Sequence, residues 1–272
     1  QFMIDTLAYL TQQLWKPTKH LYKEGFSYHA YVTELAWLLL LKIAPALGEA
    51  RHLPSHFSWE GLIHKSGVEQ YEYYQTVLNE LEQVSDPCIA GIYAHARTSL
   101  KQPEQLAQMI TTLAAVDEVP IADLGEVFET LLEKCAYEDD NRLHIAPRSL
   151  ADLMVILTQP QTGESIQDPL AGTASLVVAA DQYIQVVSEE HLADISTTQK
   201  PAPKPQDMIA IEPDLVRQRL ALVNCLLHRI EHSQRMPVRW GDSLLSNLQL
   251  WPQADVILNV LAFASEPTDE LG

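Results

Sequence analysis

Apolar positions recur every three or four residues through the first half of the chain. Over residues 28–43, Tyr28, Tyr31, Leu35, Leu38, Leu39 and Lys42 fall on one face. This spacing predicts an amphipathic helix whose terminal lysine lays its stem along the apolar stripe. Residues 68–83 repeat the pattern with Tyr71, Tyr74, Val77, Leu78 and Leu81. Asp123 is expected to precede a third helix, in which Val127, Leu131 and Leu132 form the stripe. Aromatic stripes at this spacing read as core packing.

The period then changes. Short apolar runs appear, each closed by an acid, Gly or Pro. Ser165-Ile166-Gln167 stops at Asp168-Pro169, Met208 to Ile211 at Glu212-Pro213, and Pro237 to Trp240 at Gly241-Asp242. Asp255 to Leu258 reads as a fourth strand. Helical faces lie between them: Leu176, Ala180, Tyr183 and Val187 in one, Leu220, Val223, Leu227 and Ile230 in another. Strand and helix in alternation predict a parallel α/β sheet. A proline-rich stretch from Ser188 to Gln206 interrupts the pattern and is expected to be a mobile surface loop. The expected organisation is a helical domain over 1–140 followed by an α/β domain over 141–272, with the boundary near Asp139 to Arg142.

Composition narrows the function classes. Glycine contributes 10 of 272 residues, about 4% against a usual ~7%, which argues for helices over a glycine-rich β-architecture. Eighteen basic against 36 acidic residues leave a net charge of −18. A broad basic surface for nucleic acid or membrane is therefore not expected, although a narrow basic cleft is compatible with that balance. The longest apolar run, Ala36 to Leu41, stops at Lys42, short of the ~18 residues of a membrane span. Gln1-Phe2 precede Met3, which reads as a native start, and no basic region followed by an apolar core resembles a signal peptide, so a cytoplasmic protein is expected. Cys88, Cys135 and Cys225 are odd in number and scattered, fitting neither a disulfide framework nor a zinc site; no metal is expected.

Ordered matches along nearly the whole chain carry a resemblance. They include LWKPTKHLYKEGFSYHAYVTELAWLLLLK (Leu14 to Lys42), HLPSHFSWEGL (His52 to Leu62), ADLGEVFETLLEK (Ala122 to Lys134), APRSLADLM, IQDPLAGTASLV, AIEPDLVRQRLALVNCLLHRIE, VRWGDSL and ADVILNVLAF. With these the sequence resembles the modification (M) subunits of type I restriction-modification systems, adenine-N6 DNA methyltransferases. The resemblance implies a helical N-terminal domain followed by a partial Rossmann-like, S-adenosylmethionine-dependent methyltransferase sheet, in strand order 3-2-1-4. It also implies a cofactor site on Asp168, Pro169, Gly172, Thr173, Glu212 and Asp242.

Each of those positions has a physical rationale and a plainer alternative. Asp168-Pro169-Leu170-Ala171-Gly172-Thr173-Ala174-Ser175 is a strand end followed by a tight turn, the place where open α/β sheets bind ligands. The turn could equally survive without a ligand, since the family's Gly stands here as Ser175 and its Phe as Leu176. Glu212 is placed to hold a ribose diol, or to act as an acid favoured at a helix N-terminus. Asp242 would accept the adenine amino group by resemblance, or simply cap its own turn. The family's Phe-Thr-Pro-Arg segment stands as Ile145-Ala146-Pro147-Arg148, losing an aromatic ring and a hydroxyl.

The family's catalytic Asn-Pro-Pro-Phe aligns with Val260-Leu261-Ala262-Phe263. Valine has neither donor nor acceptor, Asn259 comes one residue early, and only Phe263 keeps its place. The vestigial positions are thus Asn259, Val260 and Phe263. The expected protein is a catalytically inactive M-subunit relative, holding S-adenosylmethionine weakly or not at all. It would act through a protein partner: a restriction-modification subunit, or a second copy paired along the fourth strand edge with Val256, Ile257 and Leu258. DNA would be met only within such a complex, and no membrane is involved. The alternatives are an active or partner-completed adenine-N6 methyltransferase, and an acidic DNA mimic.

Overall fold

The computed structural model describes residues 2–47, 53–54, 56–117, 119–139, 145–193, 207–230, 236–244 and 253–261. Eight helices come first: α1 (Phe2–Trp15), α2 (Thr18–Lys23), α3 (Tyr28–Ile43), α4 (Trp59–Ile63), α5 (Gly67–Glu80), α6 (Pro87–Tyr93), α7 (Pro103–Thr112) and α8 (Ile121–Glu138). After α9 (Arg148–Thr158) the chain alternates: β1 (Ser165–Asp168), α10 (Ser175–Ala193), β2 (Asp207–Glu212), α11 (Leu215–Leu227), β3 (Val238–Trp240) and β4 (Val256–Ile257). The four strands form one parallel sheet in the order β3-β2-β1-β4. The expected helical half followed by a partial methyltransferase-like sheet is therefore present, in the expected strand order.

The centre of the helical half is α3. Ser27 opens it, its hydroxyl accepting from the Ala30 amide at 3.3 Å. Every residue from Tyr31 to Leu41 is buried, so the single apolar stripe expected from the spacing is corrected to burial all round. Val32, Ala36, Trp37, Leu40 and Leu41 lie off that stripe and are enclosed as fully as it is, with α2, α8 and α11 packing against the helix. By length and composition Tyr28–Leu47 could cross a membrane, with a mean hydropathy of 1.5, but 72% of that window is buried within the protein. Such a helix still admits a charge if every lone pair is used. Fully buried Glu34 accepts from the Tyr74 hydroxyl at 2.7 Å, the Thr98 hydroxyl at 2.8 Å and the Ser99 amide at 2.6 Å. Burial raises its carboxyl pKa and these donors oppose the rise. Lys42 lies 4.5 Å over the Trp59 ring and ends 2.5 Å from Asp117.

The third sequence-derived helix begins earlier than expected. Pro120, not a residue at Asp123, is the N-cap of α8, and Asp123 sits in the first turn with its amide bonded to the Pro120 carbonyl at 3.0 Å. Proline's fixed φ makes it a good start, and an acid in the first turn still complements the dipole. Val127, Leu131 and Leu132 are buried as expected. The stretch from Ser188 is helical as far as Ala193, since α10 runs through it; this corrects the start of the expected loop, and the remainder to Gln206 lies outside the described residues.

One hydrophobic core runs through both halves. Helix α11 carries it, contacting α3, α6 and α8 as well as β2 and β3. Arg219 on α11 fixes the junction: its guanidinium donates to the carbonyls of Ile92 (2.8 Å) and Ala94 (2.7 Å) and stacks 4.8 Å from the Trp37 ring. Helix α8 meets α11 closely where Gly125 faces His228. A Cβ there would lie 2.8 Å from His228 Cε1 and Nε2, on a ring whose side chain is only 5% exposed.

Two predictions follow from this packing. Arg219→Met leaves the Ala94 carbonyl without its donor and the Ile92 carbonyl with Trp37 Nε1 alone, at 3.0 Å, and should cost about 1–3 kcal/mol, read as a lower urea midpoint. Gly125→Ala gains about 1 kcal/mol of helix propensity but forces an overpacked contact costing about 1–3 kcal/mol, so the midpoint should fall rather than rise.

Candidate cofactor and catalytic site

Parallel strands end on the same side, and the candidate residues gather there because four of them are strand ends or follow one. Asp168 closes β1, Glu212 closes β2, Asp242 follows β3 by two residues and Asn259 follows β4 by two. The turn after β1 is held by backbone bonds. The Ala171 amide donates to the Ile211 carbonyl at 2.8 Å, and the Ala174 amide to the Ala171 carbonyl at 2.8 Å. Asn224 on α11 donates its side-chain amide to the Thr173 carbonyl at 3.0 Å. Gly172 (φ +57°) and Ala174 (φ +66°) are both left-handed, a conformation that costs glycine nothing and alanine something.

Asp168 is 1% exposed. Its Oδ1 accepts from the Leu170 amide at 3.1 Å, while Oδ2 is buried with no hydrogen-bond partner among the described residues. Burial pushes the carboxyl up to about 7; the Leu170 amide opposes the shift and the charge of Glu212 adds to it. Pro169 is half-buried. Thr173 is buried, its hydroxyl 3.5 Å from that of Ser175, so the extra side chain at 175 is accommodated inside the turn.

Glu212 is fully buried, and both of its oxygens are engaged. Oε2 accepts from the Gly172 amide at 2.8 Å. Oε1 accepts from the Asp214 amide at 2.9 Å and from Arg217 Nε at 2.8 Å, with Arg217 Nη2 also at 2.8 Å. One carboxylate thus ties the β1–α10 turn to the first turn of α11. Asp242 is exposed, and its Oδ1 accepts from the Leu244 amide at 2.8 Å, the contact of a turn-capping aspartate. The neighbouring Gly241 amide reaches the Glu212 carbonyl at 3.1 Å, so the β3 turn adjoins the β2 end.

At the end of β4, the Leu258 amide bonds to the Gln167 carbonyl at 2.9 Å. Asn259 follows, its Oδ1 buried and without a hydrogen-bond partner among the described residues. Val260 packs against the core; Phe263 lies outside the described residues. Of the edge residues expected to need a cover, only Ile257 is openly exposed, at 63%. Leu258 is buried and Val256 packs on the core, because side chains alternate along the strand.

The Ile145-Ala146-Pro147-Arg148 segment leads into α9, with Pro147 as its N-cap. It borders a cleft of about 530 Å³ with Glu133, Ala136 and Tyr137. Arg148 is taken up by Glu129 at 2.5 Å, Asp152 at 2.7 Å and Gln182. Sequence reasoning missed Arg217 and Asn224. Both lie within the matched AIEPDLVRQRLALVNCLLHRIE run, but nothing in their spacing says that one meets a carboxylate and the other a loop carbonyl. Among the described residues no cluster of metal-ligating side chains is present.

A model of the N-6 DNA Methylase family matches residues 120–270. The chain belongs to that family. It is 32% identical over 267 residues to the type I restriction enzyme StySPI methylase subunit of Salmonella potsdam, and 31% identical to the EcoKI methylase subunit of Escherichia coli K12. Each alignment covers 94% of this chain and 50% of the relative, so this N-6 DNA methylase family member spans about half the length of the curated relatives it matches. Among solved structures, the type I methyltransferase subunit from Streptococcus thermophilus superposes with a TM-score of 0.67 at 16% identity, over 93% of this chain and 63% of that one. A chain from a structure of type I restriction-modification complex assembly gives 0.69 at 20%, over 92% and 54%. These two likenesses establish the fold.

The Asp168 carboxyl gives a pH test. Its folded pKa lies above the unfolded value, so the native state holds a proton that the unfolded chain has already released. Stability should therefore fall as pH rises from about 4 to about 7 and then level off, by an amount on the order of a few kcal/mol. Asp168→Asn should flatten that slope and raise the urea midpoint at pH 8; an unchanged pH profile in the variant would refute the assignment.

Proposed function

We propose that this family member is a degenerate relative of type I modification subunits that does not methylate DNA and acts by binding a protein partner. The observation carrying this reading is the end of β4, where Val260 packs an apolar side chain against the core at the position aligned with the family's catalytic Asn. An adenine amino nitrogen is conjugated with its ring and becomes nucleophilic only when acceptors hold its protons; valine supplies none. Losing one preorganised polar group at a catalytic centre typically costs about 10²–10³ in rate, and the two prolines of the motif are replaced as well.

S-adenosylmethionine, when bound, supplies an electrophilic methyl group. The residue types at the strand ends fit that cofactor: Asp168 keeps a buried oxygen without a partner among the described residues, Gly172 offers a backbone with no Cβ, and Glu212 is an acid at the end of β2. Asp168 would hold an ammonium or hydroxyl group and Glu212 a ribose. Ala146 and Ser175 have lost groups that the family has there, and binding is expected to be weak. The partner reading rests on β4, a two-residue edge strand with Ile257 exposed, suited to extension by another chain. A second reading, an active or partner-completed methyltransferase, is favoured by one observation: Oδ1 of Asn259, without a partner among the described residues, is an available acceptor one residue before the aligned position.

Tritiated-methyl transfer to adenine-containing duplex DNA, alone and with candidate subunits, decides between the two. No transfer is expected; sequence-dependent transfer by the purified protein would overturn the first reading. Calorimetry should find S-adenosylmethionine binding weak or undetectable, and low-micromolar binding abolished by Glu212→Ala would overturn that part. Mass in solution should exceed that of one chain with the partner present and return to it in Ile257→Lys; a mass that never exceeds one chain would remove the partner reading.

A further inference from the structure

The carboxylate at the end of β2 has nearly all its lone pairs in use. A carboxylate offers about four acceptor positions, two on each oxygen. Oε1 of Glu212 faces three donor groups, the Asp214 amide and two guanidinium nitrogens of Arg217, all at 2.8–2.9 Å. Oε2 faces one, the Gly172 amide. One position is left, on a side chain with no exposed surface. A ribose 2′,3′-diol presents two hydroxyls and needs two acceptors. The site as folded cannot receive it.

The two backbone amides belong to turns that hold the fold, so the removable donor is Arg217. Its side chain is 17% exposed, and among the described residues it contacts no acceptor other than Glu212. It sits in the first turn of α11, within reach of solvent once released. Its guanidinium resembles a diol in the feature that matters here: two adjacent donors aimed at one carboxylate, both of them on Oε1.

We propose that Arg217 is an internal stand-in for ribose: it occupies Glu212, and a nucleoside binds only by displacing it, which makes Arg217 the residue that sets nucleoside affinity. This inference rests on the reading of Glu212 as the ribose acid. Exchange of the guanidinium for a diol leaves Oε1 and Oε2 both engaged, keeps the Gly172 and Asp214 bonds and sends the Arg217 charge to water. In Arg217→Ala the guanidinium is gone before the ligand arrives, so the ligand no longer competes with it.

The test uses the full chain and two probes, adenosine and 2′,3′-dideoxyadenosine, which differ only in the diol. Binding is measured by calorimetry in the wild type, Arg217→Ala, Arg217→Lys and Glu212→Gln. Lysine keeps the charge beside the buried carboxylate but loses the fork, so it carries the test if the alanine variant fails to fold. Adenosine should bind about tenfold tighter to Arg217→Ala, the worth of one charge-assisted hydrogen bond no longer broken. The gain should be smaller in Arg217→Lys, and absent for dideoxyadenosine in both. In the wild type, the Arg217 Nε–H resonance, assigned by its loss in Arg217→Lys, should shift as adenosine is added. Equal adenosine affinity in wild type and Arg217 variants, with Glu212→Gln weakened, would overturn the inference and leave Glu212 as the ribose acid. Equal gains for both probes would also overturn it, since the arginine would then be blocking space and not the diol. No adenosine binding by any folded variant would overturn both the inference and the ribose assignment.

Discussion

A carboxylate taken wholly out of water must be matched donor for donor, and the α/β half of this chain is arranged around one that is. Glu212 lies at the end of β2, and each of its bonds fixes a different element: Gly172 the turn after β1, Asp214 the cap of α11, Arg217 the first turn of that helix. Left unmatched, a buried ion of this kind costs several kcal/mol. The left-handed turn at Gly172 and Ala174 is held by the same set of contacts, so the strained backbone persists because its neighbours leave it no other course.

The helical half solves a similar problem with Glu34, and the two solutions are joined by Arg219. That arginine binds carbonyls at the end of α6 while its own helix lies against the sheet. Helix α11 is therefore at once the cover of β2 and β3 and a member of the helical core. A shift of α11 would move the Glu212 contacts and the Trp37 environment together.

Much of this was legible beforehand. The strands can be read because the apolar runs stop at an acid, glycine or proline; their parallel direction follows from the alternation with helices, and their order from the family resemblance. Periodicity fails where it has to: a helix enclosed on all sides, such as α3, has no polar face to set the phase, so the spacing shows a stripe where a cylinder is buried. Asp123 reads as a start because caps are usually acids or hydroxyls, whereas Pro120 is the N-cap of α8. At the site, Asp168, Gly172 and Glu212 could be placed from the turn that contains them. Their state could not, since the unpartnered oxygen of Asp168 and the saturated one of Glu212 depend on burial and on Arg217, neighbours that only the fold supplies.

The sheet order has a further consequence for how the chain holds together. Among the described strands, β3 is one edge of the sheet and β4 the other. Strand β4 pairs with β1 through two residues, so its attachment depends on what lies beside the ladder. Asp255 and Ser165 are joined by four hydrogen bonds at its start, and burial of the Leu258 side chain adds about 1.5–3 kcal/mol at its end. The segment carrying Asn259 is thus held to the sheet by side chains at its two ends more than by ladder bonds.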